Sequence, residues 1–433
     1  MLTSTTPFLT PKRRRSTLHA KSVALVCFAA AFLLIGGACS VNRRTALSSK
    51  ATTSSVSSVS PYRVSMLSGR RHVRRHHPER GSGRRSSLVV GSTLTMAPDN
   101  IHDTEIRKSP LGSAEGARKS FETMVGGRQV LISYDTYESV VNTRGEAVPT
   151  LFLATPSFVP SRATFADLAA SMTMGAPEGS PEILPILTEL PGYGLNDAAL
   201  LDLDAFEPEF FREFLTKFFS HLNNEYNGAA INVVSAGHAG FYVLDAAKQH
   251  PEMIRNVFLL NPTYRGPLTT VKMKNKDNAV VPLLIDGLCG GIAAAYKLPN
   301  PVGSAVHASQ CSEGSIKKAM LSHVFEDPSN VTPEAVEVNR QFAAEGERWG
   351  KCAFLVGRTD PYPRREDAAS AYESGVPVRV AVCVGAKEQE AFERDLDFLT
   401  ERGVPLIATP GAQRNFVEYP DLVAKEALAF FSA

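Results

Sequence analysis

Apolar positions fall into two regimes along the chain. From about Phe121 onward, short apolar runs alternate with longer segments in which apolar residues recur every three to four positions. Gln129–Tyr134, Pro149–Ala154, Leu184–Leu190, Ile231–Val234, Arg255–Leu260, Cys352–Gly357, Val378–Val384 and Leu406–Ala408 read as strands. Between them lie helical segments at Ala163–Met172, at Phe206–Tyr226, up to His250, from about Lys387 and after Pro420. The stripe Phe206, Phe210, Phe214, Phe218 and Leu222 predicts one buried helix face. Alternation of this kind predicts an α/β fold, a mostly parallel central sheet with helices on both faces. Across 263–350 the alternation stops, and a stretch of that length predicts an inserted helical cap rather than a loop.

Residues 1–100 follow a different pattern, and charge sharpens the contrast. They carry sixteen Lys and Arg against two acidic residues, Glu79 and Asp99, while the whole chain carries 46 against 44. The remainder therefore holds 30 basic and 42 acidic residues. An acidic folded part argues against nucleic-acid binding, which draws its affinity from basic surface. The six cysteines show no CxxC and no Cys/His cluster at metal spacing, so neither a metal nor another cofactor is expected.

Lys12-Arg-Arg-Arg15 and Lys21 precede an apolar run at 23–38 that ends in small residues. This predicts a signal peptide or signal anchor over 1–40. Residues 41–97 are Ser- and Arg-rich and acid-poor, the composition of an organelle transit segment unable to bury a core. A signal followed by such a segment resembles the two-part plastid leaders of algae. The alternative is a secretory or membrane-anchored protein, with membrane contact only if the apolar run is retained. Residues 98–433 then form the globular domain, with 263–350 as its cap.

Several segments in this domain resemble the α/β-hydrolase superfamily, in order. They are Glu189-Leu-Pro-Gly-Tyr-Gly194, Ser235-Ala-Gly-His-Ala-Gly240 at a strand-to-helix turn, and Gln249-His-Pro-Glu252 running into Val257–Pro262. Leu355-Val-Gly-Arg-Thr-Asp-Pro361, Pro410-Gly411 and Glu418-Tyr-Pro420 complete the set. The Gly-His-Ala elbow, Pro262–Leu268 and Ser322–Pro333 are also similar to a plant and algal plastid branch of the superfamily. The resemblance implies a nucleophile at the elbow apex, an acid at Asp360 and a histidine in the C-terminal loop.

Two of these three positions lack the expected chemistry. One register places Gly237, which has no side chain, at the apex, and a one-residue shift places His238 there. Spacing to His250-Pro251 favours the first. The last histidine of the chain is His323, so Gln413 or Arg414 stands where the catalytic histidine belongs. Acyl transfer needs both an attacking group and a proton carrier. Thr155, Pro156 and Ser157 form the loop that would hold oxyanion donors, and the His238 amide is expected to point into the site. His238 and Asp360 remain the candidate catalytic residues. The sequence favours a non-hydrolytic plastid protein that binds a small molecule or a protein partner. The alternatives are an atypical hydrolase or cofactor-free lyase using His238 and Asp360, and a membrane-anchored scaffold.

Overall fold

The computed structural model describes residues 116–138, 147–157, 162–174, 180–196, 202–299, 302–345, 348–383 and 399–433. The leader, its apolar run at 23–38 and the helix expected from Lys387 lie outside these residues. Among the described residues no helix is long and apolar enough to cross a membrane.

Eight strands form one sheet: β1 (Ala117–Val125), β2 (Arg128–Thr136), β3 (Val148–Ala154), β4 (Ile183–Glu189), β5 (Ile231–Ala236), β6 (Ile254–Leu260), β7 (Val378–Cys383) and β8 (Leu406–Thr409). Their spatial order is β1-β2-β4-β3-β5-β6-β7-β8. β2 runs antiparallel to both of its neighbours, and every pairing from β4 to β8 is parallel. That order, with one antiparallel hairpin at the edge and the β3/β4 exchange, is the α/β-hydrolase fold.

The strand period sorts side chains onto two faces. Leu151, Leu153, Val233, Val257 and Leu259 face one apolar layer, and Phe152, Ala154, Val234, Phe258 and Leu260 face the other. The first layer is closed by α2 (Pro208–Glu225), whose Phe210, Phe211, Phe214, Phe218 and Phe219 are all buried. The second is closed by α1 (Ala166–Met174) and by a C-terminal helix at Pro420–Phe431. Helix α3 (Gly237–Gln249) follows β5 directly.

Two expectations require correction. The first strand was not among those expected: β1 pairs with β2 through Gly126 and Gly127, both at positive φ, a two-residue hairpin turn that glycine accommodates. β1 escapes pattern reading because its outward positions Arg118, Ser120 and Glu122 are polar and exposed. Cys352–Gly357 is not a strand; it belongs to a helix, Arg348–Val356. A six-residue apolar run fits a buried helix segment as well as a strand. Gly350 permits the helical arrangement, because a Cβ there would lie 2.7 Å from the Gly192 carbonyl oxygen.

Among the described residues the excursion between β6 and β7 is accordingly built of helices joined by turns, between Pro267 and Ser370. It comprises α4 (Pro267–Lys274), α5 (Val281–Tyr296), α6 (Val302–Gln310), α7 (Glu313–Ala319), α8 (Pro333–Glu345), α9 (Arg348–Val356) and α10 (Arg365–Ser370). It has its own apolar centre, including Ile316, Met320, Val324 and Val336. Glu418, near the start of the last helix, fastens this cap to the body. Its Oε1 accepts from the Glu326 and Asp327 amides at 2.9 and 3.0 Å, and its Oε2 accepts from the Ala412 amide at 3.0 Å.

Candidate functional site

β5 ends at Ala236, and the chain reverses into α3 through Gly237 at φ 52°. This left-handed conformation at a strand-to-helix junction is what the first of the two registers, with Gly237 at the apex, calls for. Ser235, two residues earlier, is buried and sits 3.5 Å from the Leu153 carbonyl oxygen, away from the apex.

The space over the apex is filled from the β3 loop. A Cβ on residue 237 would lie 2.7 Å from Thr155 Oγ1. The same hydroxyl accepts a hydrogen bond from the His238 backbone N–H at 3.0 Å and donates to the Pro156 carbonyl at 3.3 Å. The expectation that the His238 amide points into an open site is therefore corrected. Thr155 Oγ1 thus takes both the space above residue 237 and the amide of residue 238. Pro156 is buried and has no N–H to offer.

Arg162, beyond this loop in the chain, forms a buried ion pair that pattern reading missed. Glu189, at the end of β4, accepts from the Arg162 amide at 2.6 Å and from Arg162 Nε at 2.6 Å. Arg162 Nη2 also reaches Ser133 Oγ at 2.8 Å and Asn196 Oδ1 at 3.1 Å. Burial raises the Glu189 carboxyl against the opposing pull of Arg162. Gly194 completes the turn, since a Cβ there would meet the Glu189 carboxylate at 2.6 Å. The one sequence signal was Glu189 itself, an acid embedded in an apolar strand.

His238 is 1% exposed. Its Nδ1 lies 2.9 Å from Thr263 Oγ1, and its ring meets Phe354 of α9 edge-on at 5.3 Å. Nε2 lies 3.5 Å from Asp360 Oδ1 and makes no hydrogen bond. The two candidate catalytic residues thus do come together. Asp360, however, is not at a strand end. It follows α9, and its Oδ1 accepts from the Gly266 amide at 2.7 Å, immediately before α4. Nor does it cap the next helix, α10. The strand that follows β6 in the sheet is β7, and the residues after it lie outside those described.

In the C-terminal loop the two substitutes for the histidine part company. Gln413 is exposed, and its backbone carbonyl accepts from Asn261 Nδ2 at 2.9 Å. Arg414 is 8% exposed, with Nη2 3.3 Å from Ser157 Oγ and Nη1 3.5 Å from Asn339 Oδ1 of α8. Burial pulls its guanidinium down to about 10. Asn261, itself at positive φ, ties the strand ends together. Its Oδ1 accepts from the Cys383 amide at 2.6 Å, and its Nδ2 reaches Asn415 Oδ1 at 3.1 Å. Among the described residues no group of three or more His, Cys, Asp or Glu side chains could hold a metal ion.

No protein-family model matches the sequence, and no curated protein matches it. Solved structures do resemble it. An enol-lactonase from Burkholderia xenovorans LB400 is 15% identical, covering 72% of this chain and 100% of its own, with a TM-score of 0.48. A thioesterase domain from the curacin biosynthetic pathway is 14% identical, covering 72% and 99%, at 0.48. The epoxide hydrolase VrEH1 from Vigna radiata is 14% identical, covering 72% and 97%, also at 0.48. The likeness is one of fold alone, and the α/β-hydrolase assignment stands on strand order and direction.

The packing of Thr155 over Gly237 leads to a measurable coupling. Gly237→Ala is expected to destabilise the chain by roughly 2–4 kcal/mol, combining left-handed strain with overpacking. Adding Thr155→Ala should recover about 1–2 kcal/mol of that loss in a double-mutant cycle read by urea unfolding. Strictly additive losses would mean that the two residues do not share the space.

Proposed function

We propose that this protein is a non-hydrolytic α/β-hydrolase-fold protein that binds a small anionic molecule. The observation that carries the reading is the Thr155 hydroxyl, which packs over the side-chain-less apex and consumes the His238 amide. Covalent attack requires a nucleophile on the turn, and oxyanion stabilisation requires a free donor there. Arg414 supports the choice of an anion. Its buried guanidinium stands where a triad histidine would stand, beside the hydroxyl of Ser157 and the amide of Asn339. An acidic ligand group at that point would meet a charged donor and a hydroxyl.

A second reading is favoured by one distance. His238 Nε2 at 3.5 Å from Asp360 Oδ1 is the start of an acid–base pair, which an atypical hydrolase or a cofactor-free lyase would use. Its near-complete burial supports a role in holding the cap to the elbow instead. The leader is proposed to direct the protein to a plastid and to be removed. The N-terminus of the chain recovered from its native host checks this: a start near Met96 fits removal, and a start at Met1 fits a retained anchor.

One experiment separates the two site readings. The full chain and His238→Ala are offered p-nitrophenyl and fluorogenic esters, then carboxylate and phosphate ligands in thermal shift. Neither protein should release product above buffer, and Arg414→Gln should lose the stabilisation that an acidic ligand gives the parent. Turnover by the parent that His238→Ala abolishes would replace the binding reading with the catalytic one.

A further inference from the structure

The cap holds a second buried cluster, away from the elbow. Cys311 lies in the turn after α6, and Lys351 lies in the first turn of α9; each is only 4% exposed. Lys351 Nζ is 3.0 Å from Cys311 Sγ and donates to the Ala343 carbonyl of α8, also at 3.0 Å. The thiol contacts the same carbonyl at 3.2 Å, and His307 Nε2 of α6 lies 3.5 Å from Sγ. No carboxylate among the described residues forms an ion pair with Lys351.

An amine and a thiol in contact inside an apolar shell are an unusual pairing. Burial lowers the Lys351 ammonium, with Cys311 opposing, so the nucleophilic neutral amine is more accessible than on a surface lysine. Burial and then Lys351 push His307 down to about 4, which leaves its imidazole neutral near pH 7 and within reach of the thiol proton.

We propose that Cys311 and Lys351 form a reversible oxidative cross-link, a modification site whose co-reactant is a hydroperoxide. In the first step the sulfur attacks one peroxide oxygen. An S–O bond forms, the O–O bond breaks, and the other oxygen leaves as water or an alcohol with the thiol proton. The sulfur loses two electrons and the peroxide gains them, giving a sulfenic acid. In the second step the Lys351 amine attacks that sulfur. The N–S bond forms, the S–O bond breaks, and the hydroxyl leaves as water with one amine proton. The product is a sulfenamide, two hydrogens lighter than the reduced pair. A small thiol reverses it by attacking sulfur and releasing the amine, and a second thiol frees Cys311 as the reductants become a disulfide.

The bond would join the α6–α7 turn to α9, the helix whose Phe354 packs against His238. It would therefore staple the part of the cap that covers the elbow. Neither the chemistry nor its test depends on what the elbow binds.

The full chain is treated with hydrogen peroxide, digested without cleavage at lysine, and mapped by mass spectrometry with and without a thiol reductant. The expected product is the Cys311 and Lys351 peptides joined, at their summed mass less two hydrogens, and lost on reduction. Lys351→Met and Cys311→Ser should lose it, and in Lys351→Met the Cys311 sulfur should advance to the sulfinic acid. The comparison of the unsubstituted chain with and without reductant requires no variant to fold. Cys311 left as a thiol, or carried to the sulfinic acid beside a free Lys351, would overturn the proposal. So would a cross-link at Cys289, Cys352 or Cys383 in its place.

Discussion

The hydroxyl of Thr155 lies in the volume that a side chain at Gly237 would take, and the proposed function rests on that exchange. In an elbow built for acyl transfer, the apex side chain projects into the space above the turn and the following amide faces the substrate. Here the same space holds a threonine from the neighbouring strand end, and the same amide is already bonded. The arrangement is self-consistent. Gly237 accepts the left-handed turn without strain, and Thr155 gives one of the orphan amides of α3, that of His238, a partner.

The surrounding structure serves to hold that loop and the cap in place. The Glu189–Arg162 pair pins the segment after β3 to the end of β4. Pairs buried this deeply are costly to break, because a lone charge is left behind. Asn261 joins β6 to β7 and to the loop after β8. Glu418 gathers three backbone amides from the cap and the C-terminal loop. Asp360 does similar work at the start of α4. Three acids, Glu189, Glu418 and Asp360, are thus committed to backbone donors or to a buried cation.

Much of the fold was legible because its central strands are apolar on both faces, and such runs stand out between turn residues. β3, β4 and β5 and the phenylalanine stripe of α2 are of this kind. β1 was missed because an edge strand shows only half of the pattern, and its Gly126-Gly127 turn was the signal available. The Cys352 run was misread because six apolar residues do not distinguish a strand from a buried helix. That error carried Asp360 to a strand end it does not occupy. At the site, the glycine at 237 and the lack of any histidine after His323 could be read directly from residue identity. The partner filling the gap could not, because Thr155 and Gly237 are distant in sequence and no local pattern joins them. The meeting of His238 with Asp360 across the cap is a tertiary fact of the same kind.

The most direct test is covalent labelling of the full chain with a fluorophosphonate, a reagent that attaches to an activated nucleophile. With Thr155 seated over Gly237, the protein should emerge at its unmodified mass under conditions that label a working serine hydrolase completely. An adduct on the elbow, at His238 or Ser235, would contradict the account, because it would show that a nucleophile there is both activated and open.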